Sequence, residues 1–211
     1  MQKYQCVIFD CDGVLVDSEP IGNRIMVEMA NELGANINLD YALKHFKGNS
    51  LQMCFDAISV LANSPIPSGF DKEYRKRSFE AFRKEIKPVD GIVEVLEQIQ
   101  VTYCVASSGP ENKIRLNLEL TGLLPYFESQ IFSCYTISKW KPDPAIFLWA
   151  AKTMGFQPEL CLIVEDSPLG VKGGKAGGFD VFAYTAHDYN EELSAMADYA
   201  SNSIRDVLLF V

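Results

Sequence analysis

About ninety residues separate the first apolar run of this chain, YQCVIFD (4–10), from the next, TYCVAS (102–107), far more than an ordinary crossover requires. Beyond that gap the rhythm is regular. QIFSCY (130–135), CLIVED (161–166) and VFAYT (181–185) are short, apolar and suited to buried parallel strands. Helical patterns lie between them. NKIRLNLELTG (112–122) stops at a glycine that fits a C-cap. PAIFLWAAKTMG (144–155) has Asp143 as N-cap and Pro144 in its first turn, and PLGVKGGKAGG (168–178) has Ser167 and Pro168 in the same roles. This alternation predicts an α/β fold, a doubly wound parallel sheet of Rossmann-like type. The gap itself is helical by period. Ile21, Ile25, Met29 and Leu33 form one apolar stripe, which stops at Gly34. Leu51, Cys54, Phe55, Ile58 and Leu61 form a second, and Tyr74, Ser78, Phe79, Phe82 and Ile86 a third. The spacing therefore predicts an α/β core of residues 1–14 and 88–211, with a small helical domain, 15–87, inserted after the first strand.

Charge separates the same two regions. The formal net charge is −9, which argues against nucleic acid as a partner. Residues 15–87 hold ten Lys/Arg and ten Asp/Glu, so the whole acidic excess lies in the rest of the chain. No apolar run approaches the ~20 residues of a membrane helix, so no membrane partner is expected. The N-terminal MQKYQCVIFD runs directly into a strand pattern, which predicts no secretory signal. The six cysteines form no CxxC pair and there are only two histidines, which argues against zinc. Cys6, Cys104 and Cys161 sit in apolar runs as small hydrophobes, which suits a reducing cytoplasm.

In an open α/β sheet, ligands bind beyond the carboxyl ends of the strands. There the sequence places Asp10 and Asp12 after strand one, and Ser107, Ser108 and Gly109 after strand two. Lys141 follows strand three, and Glu165 and Asp166 end strand four. Taken singly, each fits a turn, a cap or a solvated side chain. Together, four acids without a counter-charge are costly and require a cation; hard carboxylate oxygens favour Mg²⁺. Asp10, Asp12, Glu165 and Asp166 are the candidate metal group. Residues two apart on a strand point to one side, and Gly13 permits a sharp turn directly after them. A magnesium ion on Asp10, Asp166 and a backbone carbonyl keeps Asp10 ionised as a nucleophile. Asp12, off the metal by its side chain, is then placed to carry a proton. Ser107, neighbouring backbone N–H groups and Lys141 are placed to bind a phosphoryl group and its developing charge.

This order of residues resembles the haloacid dehalogenase-like phosphatase superfamily over the whole chain. DCDGVLVDSE (10–19) is similar to its first motif, Ser107 to the second, Lys141 in KPDP to the third and Glu165–Asp166 to the fourth. The resemblance implies an aspartyl-phosphate on Asp10, hydrolysed with Asp12 as base. It also implies that the inserted helices are a cap that closes over the crevice and selects the substrate. Within the superfamily the chain is similar to the β-phosphoglucomutases and small sugar-phosphate phosphatases. HFKGNS (45–50), SSGPENK (107–113) and WKPDPAIFLWAAKTMG (140–155) most resemble phosphogluconate phosphatases.

The expected activity is thus Mg²⁺-dependent hydrolysis of a small phosphorylated metabolite, a sugar or sugar-acid phosphate such as 6-phosphogluconate. Lys47, Gly48, Asn49 and Arg75 are the candidate cap contacts. The expected state is a monomer, with a dimer as alternative. A β-phosphoglucomutase is the near rival. In those enzymes a histidine early in the cap couples substrate binding to proton transfer, and the aligned position here is Gly22. A phosphorelay receiver is the non-enzymatic rival, but receivers place the acid pair before the phosphoaccepting aspartate and lack the long insert.

Overall fold

The computed structural model of the chain describes residues 3–46, 49–188 and 190–211. In chain order it begins with β1 (Cys6–Phe9), α1 (Glu19–Glu32), α2 (Leu39–His45), α3 (Leu51–Ala62), α4 (Phe70–Glu85) and α5 (Ile92–Gln98). Next come β2 (Thr102–Ser107), α6 (Glu111–Leu120), α7 (Leu124–Phe127), β3 (Ile131–Ser133) and α8 (Cys134–Ile137). The last elements are α9 (Ala145–Met154), β4 (Cys161–Glu165), α10 (Pro168–Ala176), β5 (Asp180–Tyr184), α11 (Leu193–Met196) and β6 (Tyr199–Ser201). The chain divides into two compact units: residues 1–17 with 87–211, and residues 18–86.

The first unit is built on a six-stranded sheet of the described residues, in the order β3-β2-β1-β4-β5-β6. Every pairing is parallel. This is the doubly wound α/β sheet that the sequence predicts, and its order reverses between β1 and β4, where such sheets bind ligands. An all-parallel sheet must be covered on both faces, and alternate residues serve each. Cys6, Ile8, Cys104, Ala106, Cys161 and Ile163 pack with Ile146, Phe147 and Ala150 of α9 and Val171 of α10. On the other alternation Phe9 meets Tyr103 and Phe127 edge to face. The central strands β1 and β4 are buried along their whole length, so their runs read as continuously apolar.

Two features differ from the sequence reading. The run QIFSCY gives only three strand residues, because the chain turns into α8 at Cys134, where Ser133 Oγ accepts the Tyr135 N–H. The edge strand β6 has no apolar run to announce it; Ala200 at its centre is exposed.

The second unit is helical. Ile25 and Met29 of α1, Phe55 and Ile58 of α3 and Phe70 and Phe82 of α4 share one apolar core. These are members of the three stripes seen in the sequence. The unit starts at Ser18 and ends at Ile86, whereas the spacing suggests 15–87. Leu15, Val16, Asp17 and Lys87 lie with the sheet unit because two chain segments pair there. Val16 bridges Pro88, Val89 donates to the Leu15 carbonyl at 3.0 Å, and Asp17 donates to the Lys87 carbonyl at 2.9 Å.

Candidate active site

Asp10 lies one residue past β1, and its N–H still donates to the Val164 carbonyl at 2.9 Å. That bond carries the β1–β4 ladder to the strand end, so the Asp10 carboxylate is fixed at the switch point. Asp166 follows β4 directly. Gly13 has φ +84°, and a Cβ placed there would overlap the Asp166 carboxylate. Glycine is thus required twice at this turn, for its left-handed backbone and for the approach of Asp166.

One carboxylate oxygen each of Asp10, Glu165 and Asp166 lies within 4.8 Å of the others, and all three residues are buried. Lys141 is buried among them. Its Nζ donates to Asp10 Oδ1 at 2.6 Å, to Glu165 Oε1 at 2.5 Å and to the Ala106 carbonyl at 3.1 Å. An ammonium has three hydrogens, and these three acceptors account for them. Burial opposes its charge, but Asp10 and Glu165 together raise the Lys141 pKa above its ordinary value. Burial pushes the Asp10 carboxyl well above the usual range; Lys141 opposes this, while Glu165, Asp166 and Asp12 add to it. Three carboxylates against one ammonium leave two negative charges in a buried cluster. A divalent cation with hard-oxygen preference matches that deficit in charge and in donor type.

Glu165 has a further task. Its Oε2 accepts from the Asp166 and Ser167 N–H groups, each at 3.1 Å, and from Ser167 Oγ at 3.0 Å. A Cβ at Gly170, in the first turn of α10, would overlap its carboxylate. Both oxygens of Glu165 are therefore engaged by protein groups.

Ser107, at the end of β2, is buried, and its Oγ accepts the Gly109 N–H at 3.0 Å. Ser133 Oγ, at the end of β3, donates to the Gly109 carbonyl at 2.7 Å. These two bonds fix the turn that leads into α6. A Cβ on Gly109 would lie 3.4 Å from Ser107 Oγ and 3.7 Å from Asp12 Oδ2, so the turn stands against both.

The structure brings Asp10, Lys141, Glu165 and Asp166 into one cluster, and Ser107, Gly109 and Asp12 into contact around the turn. Asp12 does not join the three-acid group by its carboxylate, which faces α6, where Lys113 Nζ donates to it at 2.8 Å. Ser108 is exposed, and its Oγ is in long contact with Cys134 Sγ at 4.0 Å. In the helical unit, Asn49 Nδ2 donates to the His45 carbonyl at 2.9 Å, closing the end of α2. Arg75 is half-buried on α4, and Lys47 and Gly48 lie outside the described residues. Sequence reasoning missed Lys113, Ser133 and Gly170. Lys113 stands in the first turn of α6, directly after the serine turn, where a lysine by itself reads as solvated.

The sequence profile of the haloacid dehalogenase-like hydrolases matches residues 7–184, most of the chain. The chain belongs to that family. As a haloacid dehalogenase-like hydrolase it is an enzyme, and phosphatases are among its named relatives. It is 35% identical over 194 residues to the 6-phosphogluconate phosphatase of Escherichia coli, covering 92% of this chain and 88% of that protein. It is 26% identical to the phosphorylated carbohydrates phosphatase of Thermotoga maritima, covering 97% and 98% of the two chains. The crystal structure of a conserved haloacid dehalogenase-like protein of unknown function from Agrobacterium tumefaciens superposes with a TM-score of 0.89. That pair is 27% identical and covers 98% and 96% of the two chains.

Proposed function

We propose that this hydrolase is a Mg²⁺-dependent phosphatase that cleaves a small sugar-acid phosphate of the 6-phosphogluconate kind through an aspartyl-phosphate on Asp10. The observation that carries this reading is the buried group of Asp10, Glu165 and Asp166 with Lys141, two negative charges in excess, at the switch point of the sheet. The similarity to the Escherichia coli 6-phosphogluconate phosphatase supports the substrate class.

Asp10 and Asp166 are the ligands this reading assigns to the ion, since both Glu165 oxygens are already engaged. The cation supplies charge that keeps Asp10 ionised beside its acidic neighbours and offsets the charge of the phosphoryl oxygens. In the first half-reaction an Asp10 oxygen bonds to phosphorus as the ester P–O bond breaks, and the leaving oxygen takes a proton from Asp12. In the second, Asp12 takes a proton from water, the water oxygen bonds to phosphorus, and the P–O bond to Asp10 breaks. Ser107 and the Gly109 turn border this space and bind the phosphoryl oxygens; Lys141 holds Asp10 in line. The helical unit acts as the substrate-selecting cap, with Lys47, Gly48, Asn49 and Arg75 as its candidate contacts. The six unpaired thiols support a reducing cytoplasm as the place of work.

Hydrolysis is favoured over mutase chemistry by the surroundings of Gly22. It is buried in α1, and a Cβ there would lie 3.2 Å from the Tyr74 hydroxyl of α4. A histidine at this position requires Tyr74 to move. The test is phosphate release over a panel of phosphorylated metabolites, with and without excess EDTA. Phosphate release from 6-phosphogluconate, abolished by EDTA and restored by Mg²⁺, is expected. Undiminished turnover in EDTA removes the metal from the reading. Rapid conversion of β-glucose 1-phosphate to glucose 6-phosphate with little free phosphate, given catalytic glucose 1,6-bisphosphate, moves the chain to the mutases.

A further inference from the structure

We propose that Lys113, assisted by Asn117, is the positioning residue for Asp12: it holds the Asp12 carboxylate out of the three-acid group and turned toward the space beside Ser107. This inference rests on the acid–base reading of Asp12 given above.

Lys113 and Asn117 sit one turn apart on α6 and therefore share a face. Both reach the same carboxylate, more than a hundred residues earlier in the chain. Lys113 Nζ donates to Asp12 Oδ2 at 2.8 Å, and Asn117 Nδ2 makes a longer contact with Oδ1 at 3.5 Å. The two oxygens of Asp12 are thus addressed separately, which fixes the carboxylate plane as well as its position. The pair is largely sheltered, with side-chain exposures of 23% for Lys113 and 17% for Asp12. Asn117 is completely buried, and its Oδ1 has no hydrogen-bond partner among the described residues. A polar side chain kept in a helix–sheet core with half its amide unsatisfied is a poor choice for packing. Its only polar side-chain contact among the described residues is Asp12.

The start of α6 is itself pinned to the catalytic turn. Gly109 is held by Ser107 and Ser133, and a Cβ there would lie 3.6 Å from Lys113 Cδ. The Lys113 stem therefore lies along the Gly109 turn, whose position is fixed by strand ends β2 and β3. Lys113 places a positive charge in contact with the Asp12 carboxylate on the α6 side, so removing it weakens the attraction that keeps Asp12 apart from the other three acids. With Lys113 in place, Asp10 and Asp166 face the ion and Asp12 faces the leaving oxygen. Lys113 acts through Asp12 rather than on the substrate.

A double-mutant cycle tests this, with folding checked by Tm and far-UV circular dichroism. Lys113→Met should lower kcat for a sugar phosphate about 10²-fold with KM changed less than about threefold. Lys113→Arg, which keeps the charge, should recover about tenfold of that loss. In the Asp12→Ala background, Lys113→Met should change the residual rate less than about twofold, because the group it positions is gone. A full penalty in that background, or a rise in KM at unchanged kcat, overturns the inference and makes Lys113 a substrate-binding residue. Should Lys113→Met fail to fold, the same cycle with Lys113→Gln decides by the same criteria. Failure of the underlying reading shows separately, as wild-type turnover by Asp12→Ala alone.

Discussion

In the sheet unit a lysine is sealed between Asp10 and Glu165, whereas in the helical unit the arginines make their ion pairs at the surface. Lys141 is 8% exposed and its two acidic partners are as deeply buried. Arg24 reaches Glu85 at 2.8 Å and Arg77 reaches Glu32 at 2.5 Å, all with partly exposed side chains, and these pairs tie α1 to α4. Each arginine adds an i,i+4 pair along its own helix, to Glu28 and to Glu73. Among the described residues the buried charged side chains, Asp10, Lys141, Glu165 and Asp166, all belong to the sheet unit; the buried polar residues of the helical unit are Ser18, Asn23 and Ser78. Buried charge is expensive and is kept where chemistry needs it, while exposed pairs contribute little and are free to change. One unit is therefore organised around a fixed electrostatic problem, and the other around an apolar core whose surface is open to variation.

The largest effect should come from Lys141→Met, which retains much of the side-chain volume and removes the counter-charge. Breaking a buried pair from one side costs about 3–5 kcal/mol, because the partners remain buried and uncompensated. Here two carboxylates are left, so urea unfolding in EDTA should show a loss of at least that order, together with loss of turnover. The loss should depend on pH. Burial already raises the folded-state pKa of Asp10, and removing Lys141 takes away the group that opposes the rise. A carboxyl whose folded pKa lies above its unfolded value of ~3.9 destabilises as pH rises through that interval. Lys141→Met should thus lose less stability relative to wild type near pH 4 than near pH 8. An equal loss at both values breaks the comparison, since the cost is then packing rather than charge.

The same contrast governs how much of the molecule its sequence discloses. β1, β2, β4 and β5 are legible because central parallel strands must be apolar on both faces. Asp10, Lys141, Glu165 and Asp166 are legible because acids at the ends of such strands have no other local reason to gather. Lys113 is not, because a lysine in the first turns of a helix is ordinarily solvated, and only the tertiary fold brings it to Asp12. β6 is hidden because an edge strand of three residues, none of them buried, carries no period. Asn49 carries a local role that its sequence position does not announce: its amide closes the end of α2. In the helical unit the apolar stripes disclose the core, but balanced charges on solvated helix faces do not distinguish a substrate contact from an ion pair.

Two glycines with nearly the same backbone sharpen the point at intermediate cost. Gly13 and Gly69 have φ of +84° and +82°. A Cβ at Gly13 would overlap Asp166, while at Gly69, before α4, nothing lies within 4 Å. Gly69→Ala should therefore cost only the left-handed strain, about 1–2 kcal/mol, and leave kcat unchanged. Gly13→Ala bears the same strain and must also displace a metal-group carboxylate, so kcat should fall by about 10²-fold. The readouts are kcat and chemical denaturation for both variants. Equal effects on activity would mean that the position of Asp166 matters less than the backbone path of the turn.

The smallest effect is expected for Arg77→Ala, although Arg77 pairs with two carboxylates. Glu32 and then Glu73 hold its guanidinium, and these bonds raise its pKa while lowering that of Glu73. Such shifts record that the ions lie close together, not that the fold depends on them. All three side chains remain in contact with water, which screens the charges and accepts their hydrogen bonds when a partner is removed. The loss of Tm should stay under about 3 °C and shrink further in 0.5–1 M salt, where the Debye length is only ~3–4 Å. A salt-insensitive loss as large as that of Lys141→Met would mean that the Arg77 stem packs α4 onto α1 and that its charge is incidental. In that case the division into a sheet unit with costly charges and a helical unit with dispensable ones fails at a doubly paired surface residue.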